Sequence, residues 1–163
     1  GVVALITPWN LPIYLLSWKT APALVMGNTI VAKPSSMTPL TASALTEIMN
    51  EAGLPNGVFN LVHGSGSKVG KPLSLHRDVS AVSFTGSTNA GAKVSEAASS
   101  TFKKISLELG GKNPTIVFAD ADIKKAVNGA VKAAFTNQGQ VCLCGSRILV
   151  EQTIHDQIGR AHV

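Results

Sequence analysis

The sequence has few aromatic and few charged residues. Aromatic residues make up 5% of the 163 residues and charged residues 14%, whereas 45% are hydrophobic. This composition excludes a disordered, highly charged chain and is typical of an α/β unit with an extensive interior. No apolar run approaches the ~20 residues that a membrane-spanning helix needs, so the sequence predicts no membrane partner.

Cysteine is equally scarce, with only Cys142 and Cys144 present. Two cysteines and no recognisable signal peptide argue against a disulfide framework and predict a reducing compartment, the cytoplasm. The net charge is +5, but the lysines are scattered and no basic stripe with interleaved aromatics occurs, so no nucleic-acid partner is predicted. A modest positive charge suits an anionic cofactor or an acidic substrate.

Both ends of the sequence favour an internal fragment of a longer protein. Gly1, rather than a methionine, leads directly into an apolar run. Residues 158–163 equal the translation of a common sequencing-adaptor start, and they interrupt the apolar period of the preceding helical pattern. We therefore expect them to be a non-native tail, with a genuine polar helix end as the alternative.

Strand and helix patterns alternate along the chain with short connections. Apolar, β-branched runs predict strands, and patterns with a period of 3.6 residues predict the helices between them. The predicted strands are residues 1–6, 28–34, 58–62, 79–84, 104–109, 115–118 and 147–150. The predicted helices are residues 13–26, 40–52, 87–99 and a segment capped by Asp120 or Asp122 that ends near Phe135. Thr38 is expected to be the N-cap of the helix at residues 40–52. This alternation predicts a doubly wound, mostly parallel α/β sheet.

Two glycine-containing junctions are candidate phosphate sites. The run Gly64-x-Gly66-x-x-x-Gly70 has one residue too many for the standard dinucleotide fingerprint, so a tight turn is the alternative. Gly86 and Ser87 follow a strand and open a helix, where free N–H groups and the helix dipole attract phosphate. An ordinary serine N-cap would give the same pattern.

Three other side chains are candidates for chemistry. Cys142 follows a glycine turn between a helical pattern and a strand, a suitable place for a thiolate nucleophile, although a lone cysteine is more often a small buried hydrophobe. Glu108 ends a strand ahead of two glycines and could act as a general base or be a solvated strand end. Asn10 lies between two prolines and could donate to an oxyanion or simply occupy a turn.

The order of the motifs is more specific than any one of them. In sequence they are Pro8-Trp9-Asn10-x-Pro12, Ala32-Lys33-Pro34-Ser35, Phe84-Thr85-Gly86-Ser87, Leu107-Glu108-Leu109-Gly110-Gly111-Lys112 and Gly139-Gln140-x-Cys142. Together they resemble the aldehyde dehydrogenase superfamily over almost the whole chain, to about Gln157. The stretches from Asn10, Leu107 and Cys142 are most similar to the 2-aminomuconic semialdehyde dehydrogenase type.

This resemblance implies a catalytic role for each candidate. Cys142 would attack an aldehyde to form a thiohemiacetal whose oxyanion is held by the Asn10 amide and the Cys142 backbone N–H. Hydride transfer to NAD would leave a thioester, which a water activated by Glu108 would hydrolyse. Cys144 corresponds to a variable neighbour, and Trp18 to an aromatic wall of the substrate tunnel or, alternatively, to a packing residue.

The resemblance also implies an NAD site made from the loops that follow the strands. Its residues are Thr7, Pro8, Trp9, Lys33, Ser36, Gly86 and Ser87. Lys33 corresponds to a lysine that binds the cofactor ribose, whereas Ser36 stands where the family often has a ribose-binding glutamate. Loss of that carboxylate removes repulsion toward a 2′-phosphate, so NADP is expected to be tolerated.

The resemblance also implies how the complete protein is organised and which other functions have to be considered. Residues 1–111 would form a partial cofactor domain, 112–157 the start of a catalytic domain, and the complete protein a homo-oligomer, dimer or tetramer. The isolated fragment is expected to be inactive. A CoA-acylating dehydrogenase would be expected to lack Glu108, a cysteine hydrolase or acyltransferase needs a histidine in a motif that is not seen, and a non-catalytic relative would have lost Cys142 or Glu108.

Overall fold

The first strand, β1 (Val2–Ile6), lies at the centre of a five-stranded parallel sheet. In a computed structural model of the chain, which describes residues 1–160, the strand order is β3-β2-β1-β4-β5. The remaining strands are β2 (Thr29–Lys33), β3 (Phe59–Leu61), β4 (Val79–Thr85) and β5 (Lys104–Glu108). The chain moves outward from β1 to β3 and then returns past β1 to β4 and β5. The direction of winding therefore reverses between β1 and β4.

Helices connect the successive strands. They are α1 (Pro12–Val25), α2 (Leu40–Glu51), a π-helical turn (Gly66–Gly70) that continues into α3 (Lys71–Leu75), and α4 (Thr88–Ser99). Gly27 and Gly53 follow α1 and α2 with φ values of 71° and 85°, the left-handed conformation that ends helices and that glycine adopts without strain.

Side chains of β1 alternate between two apolar cores, as the period of a strand requires. Ala4 and Ile6 pack in a cluster with Phe84 and Val94, on the face covered by α3 and α4. Leu5 packs on the other face in a cluster that includes residues of α1 and α2. Both faces of β1 are therefore buried, which explains why its sequence is continuously apolar.

The chain divides into two compact units, Gly1–Leu109 and a second unit from Gly110 onward. In the second unit, β6 (Asn113–Val117) pairs in parallel with β7 (Gly145–Val150), and α5 (Ile123–Phe135) connects them. The Asp122 carboxylate accepts a hydrogen bond from the Lys125 N–H and caps α5. A short helix, α6 (His155–Arg160), follows β7.

These elements confirm the predicted parallel α/β architecture, with one local error. The sequence predicted Thr38 as the N-cap of α2, whereas Pro39 occupies that position and no side chain caps the helix. The Thr38 hydroxyl is instead buried, and within residues 1–160 it has no hydrogen-bond partner. The expected tail 158–163 overlaps the end of α6, and residues 161–163 lie outside the described residues, so its non-native origin stays a prediction.

Candidate active site

The predicted site residues of the first unit follow the carboxyl ends of four strands. Thr7 follows β1, Lys33 ends β2, Gly86 and Ser87 follow β4, and Glu108 ends β5. Open parallel sheets bind ligands outside the carboxyl ends of their strands, at the point where the winding reverses. Here that point lies between β1 and β4.

The strand register places these ends level with one another. Ile6 is the Cα partner of Lys33 on one side and of Phe84 on the other. Thr85 is the partner of Glu108, and the Gly86 N–H donates to the Glu108 carbonyl at 3.0 Å. Four separate loops therefore leave the sheet along the same edge.

Lys33 is a buried cation at this edge, only 5% exposed. Its Nζ donates to the carbonyl oxygens of Pro34 at 2.7 Å and Gly64 at 3.3 Å, and no carboxylate within residues 1–160 forms a salt bridge with it. Burial lowers the pKa of the Lys33 ammonium below its ordinary value of 10.5. A buried ammonium without an anionic partner can bind an electron-rich ligand such as a ribose hydroxyl or a phosphate.

Ser36 lies against the same carbonyl group. Its Oγ donates to the Gly64 oxygen at 3.1 Å, so Lys33 and Ser36 converge on one atom of the glycine-rich loop. Gly64 has a φ of 148°, and a Cβ there would come within 2.5 Å of the Val69 side chain. The loop therefore requires glycine for its own conformation.

The lowered pKa of Lys33 predicts a pH-dependent contribution to stability. Between the folded-state pKa and 10.5 the unfolded chain binds more protons than the folded chain, so folding becomes more favourable as pH rises through this window. The free energy of unfolding of the complete protein should therefore rise relative to that of Lys33→Met as pH increases toward 10.5. Urea unfolding of both proteins between pH 7 and pH 10 measures the difference. Lys19, whose pKa is also lowered, is common to both and cancels. A constant difference would contradict the prediction.

Gly86 and Ser87 form the turn into α4. The Ser87 Oγ accepts the Ala90 N–H at 3.2 Å, which confirms an N-cap. A Cβ on Gly86 would come within 2.6 Å of the Phe84 ring, which is buried in the core, so only glycine fits. The first N–H groups of a twelve-residue helix thus meet the carboxyl edge of the sheet, a favourable position for a phosphate.

The loop after β1 begins in the core and ends near solvent. Thr7 is 3% exposed, and its N–H donates to the Lys33 carbonyl at 3.2 Å. Its hydroxyl has no hydrogen-bond partner among the described residues. Pro8 and Asn10 are half-buried, and Trp9 is exposed. This loop leaves the carboxyl end of β1, the strand beside which the winding reverses, and the family resemblance implied cofactor contacts there.

Glu108 is hydrogen-bonded although its side chain is 56% exposed. The Thr85 hydroxyl donates to Glu108 Oε2 at 2.8 Å, and Lys19 Nζ lies 3.6 Å from the same oxygen. The carboxylate is thus neither an unsupported solvated end nor fully buried. It is oriented by two neighbours and remains open to water, as a general base requires.

Lys19, which lies beside Glu108, is the residue of this candidate site that the sequence analysis missed. Its side chain is 7% exposed and donates to Ser83 Oγ at 2.9 Å. Burial lowers the pKa of Lys19, and the nearby Glu108 carboxylate opposes this shift. A signal was available: Lys19 lies four residues after the buried Leu15, on the face of α1 that packs on the sheet.

A cavity of about 440 Å³ lies beside this pair. Trp18, Lys19, Ser83, Ser106 and Glu108 are among the residues that line it. Trp18 is 62% exposed and packs edge-to-face on Tyr14, with ring centroids 4.9 Å apart. Trp18 therefore contributes to a cavity wall rather than to the core.

Cys142 belongs to the second unit, in the segment between α5 and β7. Its side chain is exposed, and its thiol is free. Asn113 Nδ2 donates to the Cys142 carbonyl at 2.6 Å, which ties the cysteine loop to the start of β6. The exposed position rules out the small buried hydrophobe that a lone cysteine often is.

The turn before Cys142 is conformationally strained. Asn137, Gln138 and Gly139 have φ values of 52°, 55° and 74°, three consecutive residues in the left-handed region. Glycine tolerates this conformation and asparagine partly does, but glutamine does so at a cost of roughly 1 kcal/mol or more. Such strain is commonly found at functional sites.

The described residues contain no cluster of histidine, cysteine or acidic side chains suited to a metal ion. Among residues 1–160, no helix is both long and apolar enough to cross a bilayer.

The first unit is a parallel α/β sheet with polar side chains along its carboxyl edge, the class of fold that often binds nucleotides. The second unit carries an exposed cysteine shortly after a strained turn. The model of the aldehyde dehydrogenase family matches residues 1–163. The chain belongs to the aldehyde dehydrogenase family, which confirms the resemblance found in the sequence.

Individual relatives agree with this assignment. A 2-aminomuconic semialdehyde dehydrogenase of Danio rerio is 52% identical and a betaine aldehyde dehydrogenase of Bacillus subtilis 57% identical, each over 157 residues. Each comparison covers 96% of this chain and 32% of the relative, so the chain spans about a third of the length of these curated relatives.

Solved structures show the same fold. The crystal structure of betaine aldehyde dehydrogenase from Staphylococcus aureus in complex with NAD⁺ matches with a TM-score of 0.97 at 48% identity, covering 99% of this chain and 32% of that one. An aldehyde dehydrogenase from Bartonella henselae gives a TM-score of 0.94 at 52% identity.

Proposed function

We propose that the complete protein is an NAD(P)-dependent aldehyde dehydrogenase that oxidises an aldehyde, including semialdehydes, to a carboxylate through a covalent cysteine intermediate. The observation that carries the proposal is the Thr85–Glu108–Lys19 cluster at the carboxyl edge of the sheet. A hydrogen-bonded but accessible carboxylate is what hydrolysis of a thioester needs. A CoA-acylating enzyme, which releases its acyl group to a thiol, has no use for such a base.

In this proposal, three side chains act on the substrate. Cys142 is the nucleophile and forms the thiohemiacetal, which later becomes the thioester. The Asn10 amide and the Cys142 backbone N–H donate to the oxyanion. Glu108 accepts a proton from the water that attacks the thioester, and the acid is released. Trp18 contributes to the wall of the substrate pocket.

The cofactor proposal rests on the fit of the carboxyl edge to a dinucleotide. NAD, when bound, supplies a hydride acceptor. Gly86 and Ser87 would hold its pyrophosphate at the start of α4, and Lys33 and Ser36 would hold a ribose. Thr7, Pro8 and Trp9 would line the cleft beside it. The close approach of the Phe84 ring to Gly86 supports this assignment, because it leaves no room for a side chain at position 86. A residue without a side chain also lets a phosphate approach the backbone closely.

The organisation of the complete protein is proposed on the same basis. Residues 1–111 would belong to the cofactor domain, 112–157 would start the catalytic domain, and the protein would form a dimer or tetramer. The isolated 163-residue chain is expected to be inactive, because it spans about a third of its relatives.

The test of this function is a product assay on the complete protein. It should form NADH with an aldehyde and release a free carboxylate without CoA. Betaine aldehyde and an acidic semialdehyde, assayed in parallel, separate the two substrate classes named for its relatives. Acyl-CoA formation that depends on added CoA would favour the acylating alternative. Hydrolysis of thioesters without any aldehyde oxidation would favour a cysteine hydrolase.

Ser36 predicts cofactor selectivity. Its neutral hydroxyl lies against the same carbonyl as the Lys33 cation, so nothing at this position repels a 2′-phosphate. We expect the complete protein to use NAD and to tolerate NADP. Ser36→Glu should improve the NAD over NADP ratio of kcat/KM by about one to two powers of ten, since charged hydrogen bonds contribute roughly 1.5–3 kcal/mol.

Ser36→Gln is the matched control, because it has the size of glutamate without the charge. The NAD over NADP ratio of kcat/KM in this variant should stay close to that of the wild-type protein. If the Ser36 protein already rejects NADP as strongly as the Ser36→Glu variant, another residue sets the preference.

A further inference from the structure

Cys144 has no part in the proposed reaction, yet the structure holds it close to Cys142. The Cys144 N–H donates to the Val141 carbonyl at 3.0 Å and closes a turn that contains Cys142. Asn113 Nδ2 donates to the carbonyl oxygens of both cysteines, at 2.6 Å and 3.2 Å. One nitrogen atom therefore fixes both residues in the same turn.

This geometry is compatible with a disulfide. Cα atoms two residues apart are separated by at most ~7 Å, and a turn shortens that separation. A disulfide needs a Cα–Cα separation of about 4.4–6.8 Å. The ring closed by a single intervening residue is small, so such a bond would be strained and readily reduced by thiols.

The two thiols differ in access and in hydrogen bonding. Cys142 is exposed, whereas Cys144 is half-buried and its Sγ donates to the Thr136 carbonyl at 3.6 Å. Cys144 is thus the more shielded of the two sulfurs, and Cys142 is the one that meets a reagent from solvent first.

We propose that Cys144 is a resolving cysteine that protects Cys142 from irreversible oxidation by hydroperoxides. The Cys142 thiolate attacks the terminal oxygen of a hydroperoxide and the O–O bond breaks, which leaves Cys142 as a sulfenic acid. The departing alkoxide or hydroxide takes a proton from solvent and leaves as an alcohol or water. The Cys144 sulfur then attacks the Cys142 sulfur. The S–O bond breaks, an S–S bond forms, and the thiol proton leaves with the hydroxide as water.

The inference rests on the proposed function in one respect, that Cys142 is the reactive thiol. A sulfenic acid with no resolving partner is oxidised further to a sulfinic acid, which thiols do not reduce. A disulfide returns to two thiols under a reducing poise. Cys144 would therefore convert a permanent loss of the nucleophile into a reversible one.

The first experiment is a mass measurement on the complete wild-type protein. Hydrogen peroxide is added without aldehyde, remaining thiols are blocked with iodoacetamide, and the protein is digested with trypsin. The peptide between Lys132 and Arg147 contains both cysteines. Its mass should be two hydrogen atoms lower than that of the peptide with two free thiols, with no carbamidomethyl group attached. When dithiothreitol is added before the iodoacetamide, the same peptide should carry two carbamidomethyl groups. A sulfinic acid at Cys142 beside an alkylated Cys144 would overturn the proposal.

The second experiment compares recovery in Cys144→Ser. Dithiothreitol should restore most of the activity of the peroxide-treated wild type but little of that of the variant, whose Cys142 accumulates as sulfinic acid. Equal recovery in both proteins would overturn the proposal. The resolving role of Cys144 and the nucleophilic role of Cys142 can be tested separately. A disulfide that forms without loss of dehydrogenase activity would support the resolving role but contradict Cys142 as the nucleophile. Loss of activity without a disulfide would support Cys142 as the nucleophile but contradict the resolving role.

Discussion

Replacement of Cys142 by alanine is expected to abolish both aldehyde oxidation and ester hydrolysis by the complete protein. Both reactions need the same sulfur, and alanine offers no atom that can form a covalent bond to the substrate. We expect kcat for each reaction to fall by about three powers of ten or more, which corresponds to roughly 4 kcal/mol of transition-state stabilisation. NADH formation and release of p-nitrophenol from an ester measure the two activities.

Cys144→Ala is the matched control, since it removes a thiol from the same turn. It should retain most of both activities, because Cys144 Sγ donates to the Thr136 carbonyl and serves no step of the reaction. Equal losses in the two variants would rule out Cys142 as the sole nucleophile. A change in NAD affinity in Cys142→Ala would point to a structural effect instead.

Glu108→Gln should separate the two halves of the reaction. Glutamine can accept the hydrogen bond that Thr85 donates at 2.8 Å, so the strand end should keep its shape while the base is lost. Acylation with hydride transfer should continue, and hydrolysis should slow by about two to four powers of ten, the usual contribution of a general base. Stopped-flow absorbance should then show a burst of NADH followed by a slow steady state.

Glu96→Gln tests whether any loss of a carboxylate has this effect, because Glu96 is exposed on α4 and away from the carboxyl edge. It should show no accumulation of the thioester. A Glu108→Gln variant without any burst would assign the carboxylate to an earlier step, such as activation of the thiol.

Most of the fold could be predicted because its signals are local. The continuous apolar run of β1 and the glycine at position 27 specify a strand and a helix end by themselves. The start of α5 was predicted only as Asp120 or Asp122, and the structure shows Asp122 as the cap. The N-cap of α2 was wrong because Thr38 and Pro39 are both compatible with a helix start. Which of them takes that position depends on burial of the Thr38 hydroxyl, a tertiary effect.

The site was predictable only in part. Residues at strand ends and turns could be found from motif order, and the register of the sheet then brings them to one edge. Lys19 was missed because a lysine on a helix normally extends to water. Only packing against Ser83 and Glu108 makes it part of the site. Pairwise contacts between distant segments leave no mark in a single sequence.

The level strand ends have a consequence for how the chain tolerates changes in length. One residue added within β1 or β4 would move its following loop by about 3.3 Å and reverse the faces of its side chains, which would break both the cores and the ligand edge. The connections that enter the strands, such as residues 52–58 and 76–78, lie at the opposite edge. Insertions that this unit accepts should therefore concentrate in those connections. A library of random insertions would then identify the four loops at the carboxyl edge as segments in which insertions are not tolerated.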